Sequence, residues 1–249
     1  MDYNKLKGRL GESDLPASIK EHLILGINKN KTSRWHEKLA EDNFKKFPQI
    51  IKETNERINM ACDSTKLDAE TLIKWTDFDP KDLDLNRLDS ALGEIRAINF
   101  FYEKGFSVSI QKRKKSSKSS DLILTKDGQK IAYIEVTTWM SDRMSEKDNN
   151  LSQPINDRPI YDYLSEKWKD KKDQVTSAQN LKYYGIVFVI NKISETAWRT
   201  RDDFYGFAKK LWEKIGDEKL VIGIVTGWVN AFTGESDDVL YPDLEKNLS

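Results

Sequence analysis

The sequence predicts an α/β fold, a mixed central β-sheet flanked by helices and preceded by an all-helical N-terminal region. Three observations predict it. Residues 1–88 contain almost no strand-like run, whereas residues 89–249 alternate amphipathic segments with short β-branched ones. The second observation is Lys126-Asp127-Gly128-Gln129, which joins two apolar runs with the Asp-Gly pair that a tight hairpin turn needs. The third is the order that follows the hairpin, helix–strand–helix–strand, which builds parallel pairs with crossover helices.

In order, the first half offers helices near 14–28, 34–46, 48–62 and 68–76, with Ser13, Ser33 and Ser64 as candidate caps and Pro48 between two of them. The Asp-rich, Pro-containing stretch DFDPKDLDLN marks a boundary near 80–88. It separates a helical region, 1–88, suited to recognition or partner binding, from an α/β domain, 89–249. That domain reads as helix 89–104, strands 106–111, 120–125 and 131–138, helix 160–180, strand 184–191, helix 201–215 and strand 220–228.

Composition narrows the function. The 249 residues carry 41 basic and 41 acidic side chains, so neither a polybasic nucleic-acid binder nor an acidic DNA mimic fits. Aromatic content of 10% argues against a disordered chain. The one cysteine, Cys62, excludes an intramolecular disulfide and a Cys-rich zinc site and reads as a helix-core residue. No apolar run is long enough to span a bilayer, and MDYNKLKGRL lacks an apolar signal segment, so a soluble, cytoplasmic protein with no membrane partner is expected. His22 and His36 stand in no metal-ligand spacing and read as surface or capping residues. GIVTGWVNAFTG is neither a Walker loop nor a dinucleotide fingerprint.

The chemistry concentrates on IAYIEVTT. Alternation puts Ile131, Tyr133, Glu135 and Thr137 on one face, so a carboxylate sits in the middle of an apolar strand. Desolvating it is costly unless it meets a cation. Asp121 opens the preceding strand, and a hairpin brings the two acids together, where a hard cation such as Mg²⁺ relieves their repulsion. Taken singly, Asp121 simply starts a strand and Glu135 pairs with a core Arg or Lys. In the helix 89–104, about 100° per residue places Asp89, Gly93, Arg96, Glu103 and Lys104 on one polar arc. Glu94 is the single charge on the opposite, apolar arc, among Ala91, Ala97, Ile98 and Phe101. In IYDYLSEKWKDKKDQVTSAQN, Ile160, Leu164, Trp168, Val175 and Ala178 form the apolar face. Lys171 projects near its middle, with Lys167 and Gln174 on the shoulder, although a lysine at a helix edge also simply snorkels to water.

This order resembles the PD-(D/E)xK nuclease superfamily, the restriction-endonuclease-like fold, over roughly 89–228. Ser120-Asp121 matches its Pro-Asp pair, Glu135-Val136-Thr137 its Glu-x-Lys triplet, and Glu94 the acid often carried by its first helix. Two positions depart: Ser120 replaces proline, and Thr137 replaces the lysine that positions or activates the attacking water. Superfamily members exist in which a Lys or Gln migrates to the following helix, a vacancy that Lys171 would fill, with Lys167 or Gln174 as substitutes. The resemblance implies Mg²⁺ or Mn²⁺ held by Asp121, Glu135 and the Val136 carbonyl, with Glu94 completing the outer shell. It implies an endonuclease acting on DNA, with RNA and a homodimer left open, and restriction or anti-phage defence as its setting. The runner-up is a catalytically inactive nuclease-fold module that binds nucleic acid or a protein partner. In a third reading, the helical half alone does the work as an interaction region.

Lys112, Arg113, Lys114, Lys115 and Lys118 precede Asp121 without an intervening acid, in a Ser-rich loop. Such a run is a solvated loop or, from this position, a backbone contact that holds phosphates near the metal site. The seven tryptophans read mostly as core, with Trp139 a candidate for stacking on a base. The segment 139–159, with Arg143, Asn149, Asn150 and Arg158, is a candidate substrate gate.

Overall fold

Local signals set most of the helix ends. In this computed structural model, which describes residues 1–111, 121–139, 158–176, 181–191, 200–227 and 238–244, five helices precede the α/β region: α1 Tyr3–Glu12, α2 Ala17–Asn28, α3 Arg34–Phe44, α4 Phe47–Thr65 and α5 Ala69–Trp75. Helix α1 is absent from the sequence-based expectation. Asp2 and Asp68 cap α1 and α5 by accepting from the backbone N–H of Lys5 and Thr71, both at 3.0 Å. Of the three candidate serines only Ser33 sits at a helix N-cap; Ser13 follows the end of α1, and Ser64 lies inside the last turn of α4. Helix α3 kinks where Asp42 and Asn43 take left-handed φ of 49° and 54°, a conformation these two side chains tolerate.

Helix α6 (Arg87–Glu103) leads into β1 (Ser107–Ile110), β2 (Leu122–Lys126) and β3 (Gln129–Trp139). Then come α7 (Arg158–Thr176), β4 (Tyr183–Ile190), α8 (Arg201–Ile215), β5 (Leu220–Thr226) and a short β6 (Val239–Tyr241) that the sequence-based expectation lacks. The six strands lie in chain order, β1 to β6. Pairs β1–β2, β2–β3 and β5–β6 are antiparallel, and β3–β4 and β4–β5 are parallel. Asp127 and Gly128 hold φ of 52° and 77°, as the β2–β3 hairpin turn requires. The architecture is thus an α/β fold with a mixed, open sheet.

Alternation sorts the sheet's faces. Ala132, Ile134 and Val136 of β3, with Val187 and Val189 of β4, join a core that runs through α6 to Leu6, Leu23, Leu39 and Ile58. That core is continuous across the 80–88 stretch. Tyr184, Ile186, Phe188 and Ile190 face the other way, against Ile160, Leu164 and Trp168 of α7 and Phe204, Ala208 and Leu211 of α8. The two crossover helices therefore share one face and α6 covers the other.

Helix α6 corrects the expected polar arc. Asp89, placed there by periodicity, is buried and accepts a 2.8 Å hydrogen bond from Trp35 Nε1. Gly93 is buried too: a Cβ there would lie 2.2 Å from Thr138 Oγ1, so glycine lets the helix axis approach β3. The helix is enclosed by α4 and the sheet over most of its length, so of the expected arc only Glu103, at its C-terminal end, is exposed. Both histidines are buried as well, at 4% and 1% exposure, which corrects the surface reading. The Nδ1 of His36 accepts from Ser33 N at 2.8 Å, so a capping role stands, and its Nε2 donates to Leu23 O at 2.8 Å. Cys62 is half-buried against the core, and burial raises its thiol pKa. Among the described residues no helix is long and apolar enough to cross a membrane.

Candidate active site

The β2–β3 register pairs Leu122 with Ile134, and one further step sets Asp121 opposite Glu135. Residues opposite each other in an antiparallel pair share a face, so both carboxylates project towards the α7 side. Both are buried, Asp121 at 2% and Glu135 at 1% exposure. The Oδ2 of Asp121 accepts a 2.8 Å hydrogen bond from Val136 N. It thereby takes the role of a strand carbonyl at the point where β2 begins, which holds the carboxylate rigidly beside Glu135. The backbone carbonyl of Asp121 accepts from Gln111 N at 2.8 Å, extending the β1–β2 ladder up to this residue.

Helix α7 supplies the cation. Lys171 Nζ donates to Glu135 Oε1 at 2.6 Å, from a side chain 31% exposed to one that is 1% exposed. The ammonium replaces part of the solvation that Glu135 loses on burial. This contact also satisfies the plain structural alternative, in which Glu135 pairs with a core lysine. Of the two substitutes, Lys167 pairs with Asp170 at 3.5 Å and Gln174 lies on the same helix, partly exposed.

Thr137, in the position of the expected lysine, shares a hydrogen bond with Tyr163 of α7. Burial pushes the Tyr163 hydroxyl up to about 12, against the opposing effect of Thr137. The Tyr163 ring stacks on Trp139 with centroids 4.1 Å apart and an interplanar angle of 12°. Trp139 thus has a protein aromatic partner. Tyr163 escaped the sequence reading, although successive spacings of four, from Tyr163 to Lys167 and on to Lys171, put all three on one stripe of α7. Lys167 Nζ lies 5.9 Å from the Tyr163 ring centroid.

Glu94 is buried at 4% exposure, as its place on the apolar arc predicts. It belongs to α6, on the opposite layer from α7, and follows Gly93 directly where the helix crosses Thr138. Asp121, Glu135, Val136, Thr137 and Lys171 are therefore brought together, while Glu94 belongs to the helix that covers the other face of the sheet. Among the described residues no three His, Cys, Asp or Glu side chains gather as a metal-holding group. Lys112, Arg113, Lys114, Lys115 and Lys118, Ser120, and nearly all of the 139–159 segment lie outside the described residues.

The donor set suits a hard divalent cation: two carboxylates on adjoining strands plus the Val136 carbonyl, with a nearby lysine able to exchange a carboxylate partner for a metal. The fold and this site define, at the coarser level, an α/β protein with a buried Asp–Glu–Lys cluster on adjoining strands and a crossover helix. No protein-family model, curated protein or solved structure matches the chain.

Proposed function

We propose that the chain is a Mg²⁺-dependent endonuclease of the PD-(D/E)xK type that hydrolyses phosphodiester bonds, with DNA as substrate. The observation that carries this reading is the opposition of Asp121 and Glu135 on neighbouring strands with Lys171 bonded to Glu135. It supplies two carboxylates at positions matching the motif and one cation from the following helix. Asp121, Glu135 and the Val136 carbonyl would hold Mg²⁺ or Mn²⁺. When bound, the ion lowers the pKa of its water and neutralises charge on the scissile phosphate.

The chain's own groups do the rest. The bond from Val136 N fixes the Asp121 carboxylate, so little reorganisation is needed as charge develops. Lys171, partly exposed on α7, orients the attacking water or balances the phosphate, taking over what Thr137 lacks. Thr137 and Tyr163 contribute a neutral hydrogen-bonded pair beside that position. Restriction or defence against foreign DNA is the setting suggested by analogy of class alone.

One observation favours the alternative of an inactive nuclease-fold module. Lys171 already compensates Glu135, which accounts for both side chains without a metal. The two readings separate in one experiment. Plasmid DNA is incubated with Mg²⁺ or Mn²⁺ and wild type, Asp121→Ala or Glu135→Ala, alongside Mn²⁺ calorimetry. Cleavage and metal binding that both vanish in the variants support the enzyme. Equal cleavage in wild type and variants overturns it, and absence of both metal binding and cleavage in wild type favours the module.

A further inference from the structure

Strand β3 and helix α7 meet as two rows of side chains that run in opposite directions. Glu135, Thr137 and Trp139 alternate onto the α7 side of β3, and Tyr163, Lys167 and Lys171 recur at every fourth residue along α7. Lys171 bonds Glu135 at one end of the rows, and the Tyr163 ring stacks on Trp139 at the other. The spans agree, since four residues of strand cover about 13 Å and eight residues of helix about 12 Å. Between these fixed ends the Tyr163 hydroxyl meets Thr137, the position that carries lysine in the motif.

Asp121 and Glu135 are buried, whereas Thr137, Tyr163, Lys167 and Lys171 beside them are each partly exposed. A phosphodiester that reaches the carboxylates from this face passes along that row. Lys171 is already engaged by Glu135 and Lys167 by Asp170, so the row's remaining donor is a neutral one. The stack on Trp139 needs only a ring, which phenylalanine supplies equally well; the hydroxyl is an added polar group, costly to bury unless it is bonded. Two hydroxyls carry two O–H groups, and the bond between Thr137 and Tyr163 uses one of them. Among the described residues no further hydrogen bond takes up the other.

We propose that the Tyr163 hydroxyl binds substrate, donating to a non-bridging oxygen of the scissile phosphate in the place that the motif's lysine leaves open at Thr137. The proposal rests on the nuclease reading for the identity of the phosphate. It divides the work of the absent lysine between two residues of α7: Lys171, held by Glu135, serves the attacking water, and Tyr163 serves the phosphate. The ring is clamped against Trp139 at a centroid distance of 4.1 Å, so the hydroxyl is aimed before substrate arrives and little reorganisation is needed. A phenol also keeps its proton at neutral pH, and burial strengthens that hold.

The test measures binding and cleavage separately. Binding of a labelled DNA duplex is followed by fluorescence anisotropy in Ca²⁺, which takes the same kind of oxygen ligands, over a salt series; single-turnover cleavage is followed in Mg²⁺. The proteins are wild type, Tyr163→Phe, Thr137→Val and Tyr161→Phe, each first checked by circular dichroism and thermal melting. Tyr161 is the control, a partly exposed tyrosine of the same helix whose ring lies 4.4 Å from Lys210 Nζ of α8. Tyr163→Phe keeps the ring and its stack. It should weaken binding about 10-fold and slow cleavage about 10²-fold. The slope of log K against log[salt] should not change, because a neutral donor displaces no counterion. Thr137→Val, which unseats the hydroxyl, should weaken binding in the same direction and decides the matter if Tyr163→Phe does not fold. Tyr161→Phe should match wild type. An equal loss in Tyr161→Phe, or a changed salt slope in Tyr163→Phe, overturns the proposal. If wild type cleaves and a folded Tyr163→Phe binds and cleaves equally well, the phosphate contact fails and the nuclease reading stands. If binding falls as expected and no protein cleaves, the nuclease reading fails and the phosphate contact stands. A wild type that neither binds nor cleaves DNA overturns both.

Discussion

Lys171 Nζ lies 2.6 Å from Oε1 of Glu135, joining a partly exposed crossover helix to the one carboxylate of β3, itself buried. That single contact links the fold to the proposed chemistry, because α7 is held by its own apolar stripe and carries the lysine with it.

Removing one partner should hurt more than removing both. Lys171→Met is expected to cost about 1–3 kcal/mol in urea unfolding, since it leaves Glu135 charged in the interior, with the exposed lysine end moderating the loss. Lys171→Met/Glu135→Gln should recover at least half of that cost. A double variant as unstable as Lys171→Met alone would show that the pair is not coupled.

Gly93→Ala tests the approach of α6 to β3. Helix propensity favours alanine by about 1 kcal/mol, but its Cβ would meet Thr138 Oγ1 at 2.2 Å. Overpacking should win, for a net loss of about 1–3 kcal/mol. Thr138→Ala in the same chain removes the clashing atoms and should restore most of the loss in thermal melting.

His36 should make stability fall in mild acid. Its pKa is lowered first by burial, and Nδ1 must stay unprotonated to accept from Ser33 N. The unfolded chain therefore takes up a proton before the folded one, and stability is lost as pH falls below about 6.5. His22, also lowered by burial, acts in the same direction. Urea midpoints measured at pH 7.5 and 5.5 should differ for wild type and differ less for His36→Asn.

Lys38 predicts the opposite end of the scale. With a folded value of about 8 against an ordinary 10.5, the unfolded chain holds the proton longer. Stability should rise as pH climbs through that window, because burial no longer desolvates a charge and Arg34 and Arg57 no longer face a third cation, although Glu53 and Asp89 lose a partner. Lys38→Met should be more stable than wild type at pH 7 by about 1 kcal/mol and lose the alkaline gain. Chemical denaturation across pH 7 to 10 gives both numbers.

How much was legible varies by element. The hairpin, the facing of Glu135 and Thr137, the burial of Glu94 and the inward Lys171 all follow from periodicity within one segment or one turn. Helix α1 was missed because Leu6 and Leu10 are its only buried residues, too few to make a periodic stripe. Strand β6 spans only Val239–Tyr241, too short to alternate. Asp89 and Gly93 were misplaced because an amphipathic reading assumes one buried face, and α6 has neighbours on two.

By itself the sequence determined the α/β class, the hairpin that sets Asp121 near Glu135, and the helix that carries Lys171, because each depends on side-chain spacing along a single element. Only the tertiary structure decided that Tyr163 bonds Thr137, that Gly93 seats α6 on Thr138, and that Arg34 and Arg96 bond carbonyls at the neighbouring ends of β4 and β5. Those relationships join residues far apart in the chain, and their distances are set by how helices dock on the sheet rather than by any repeat within it.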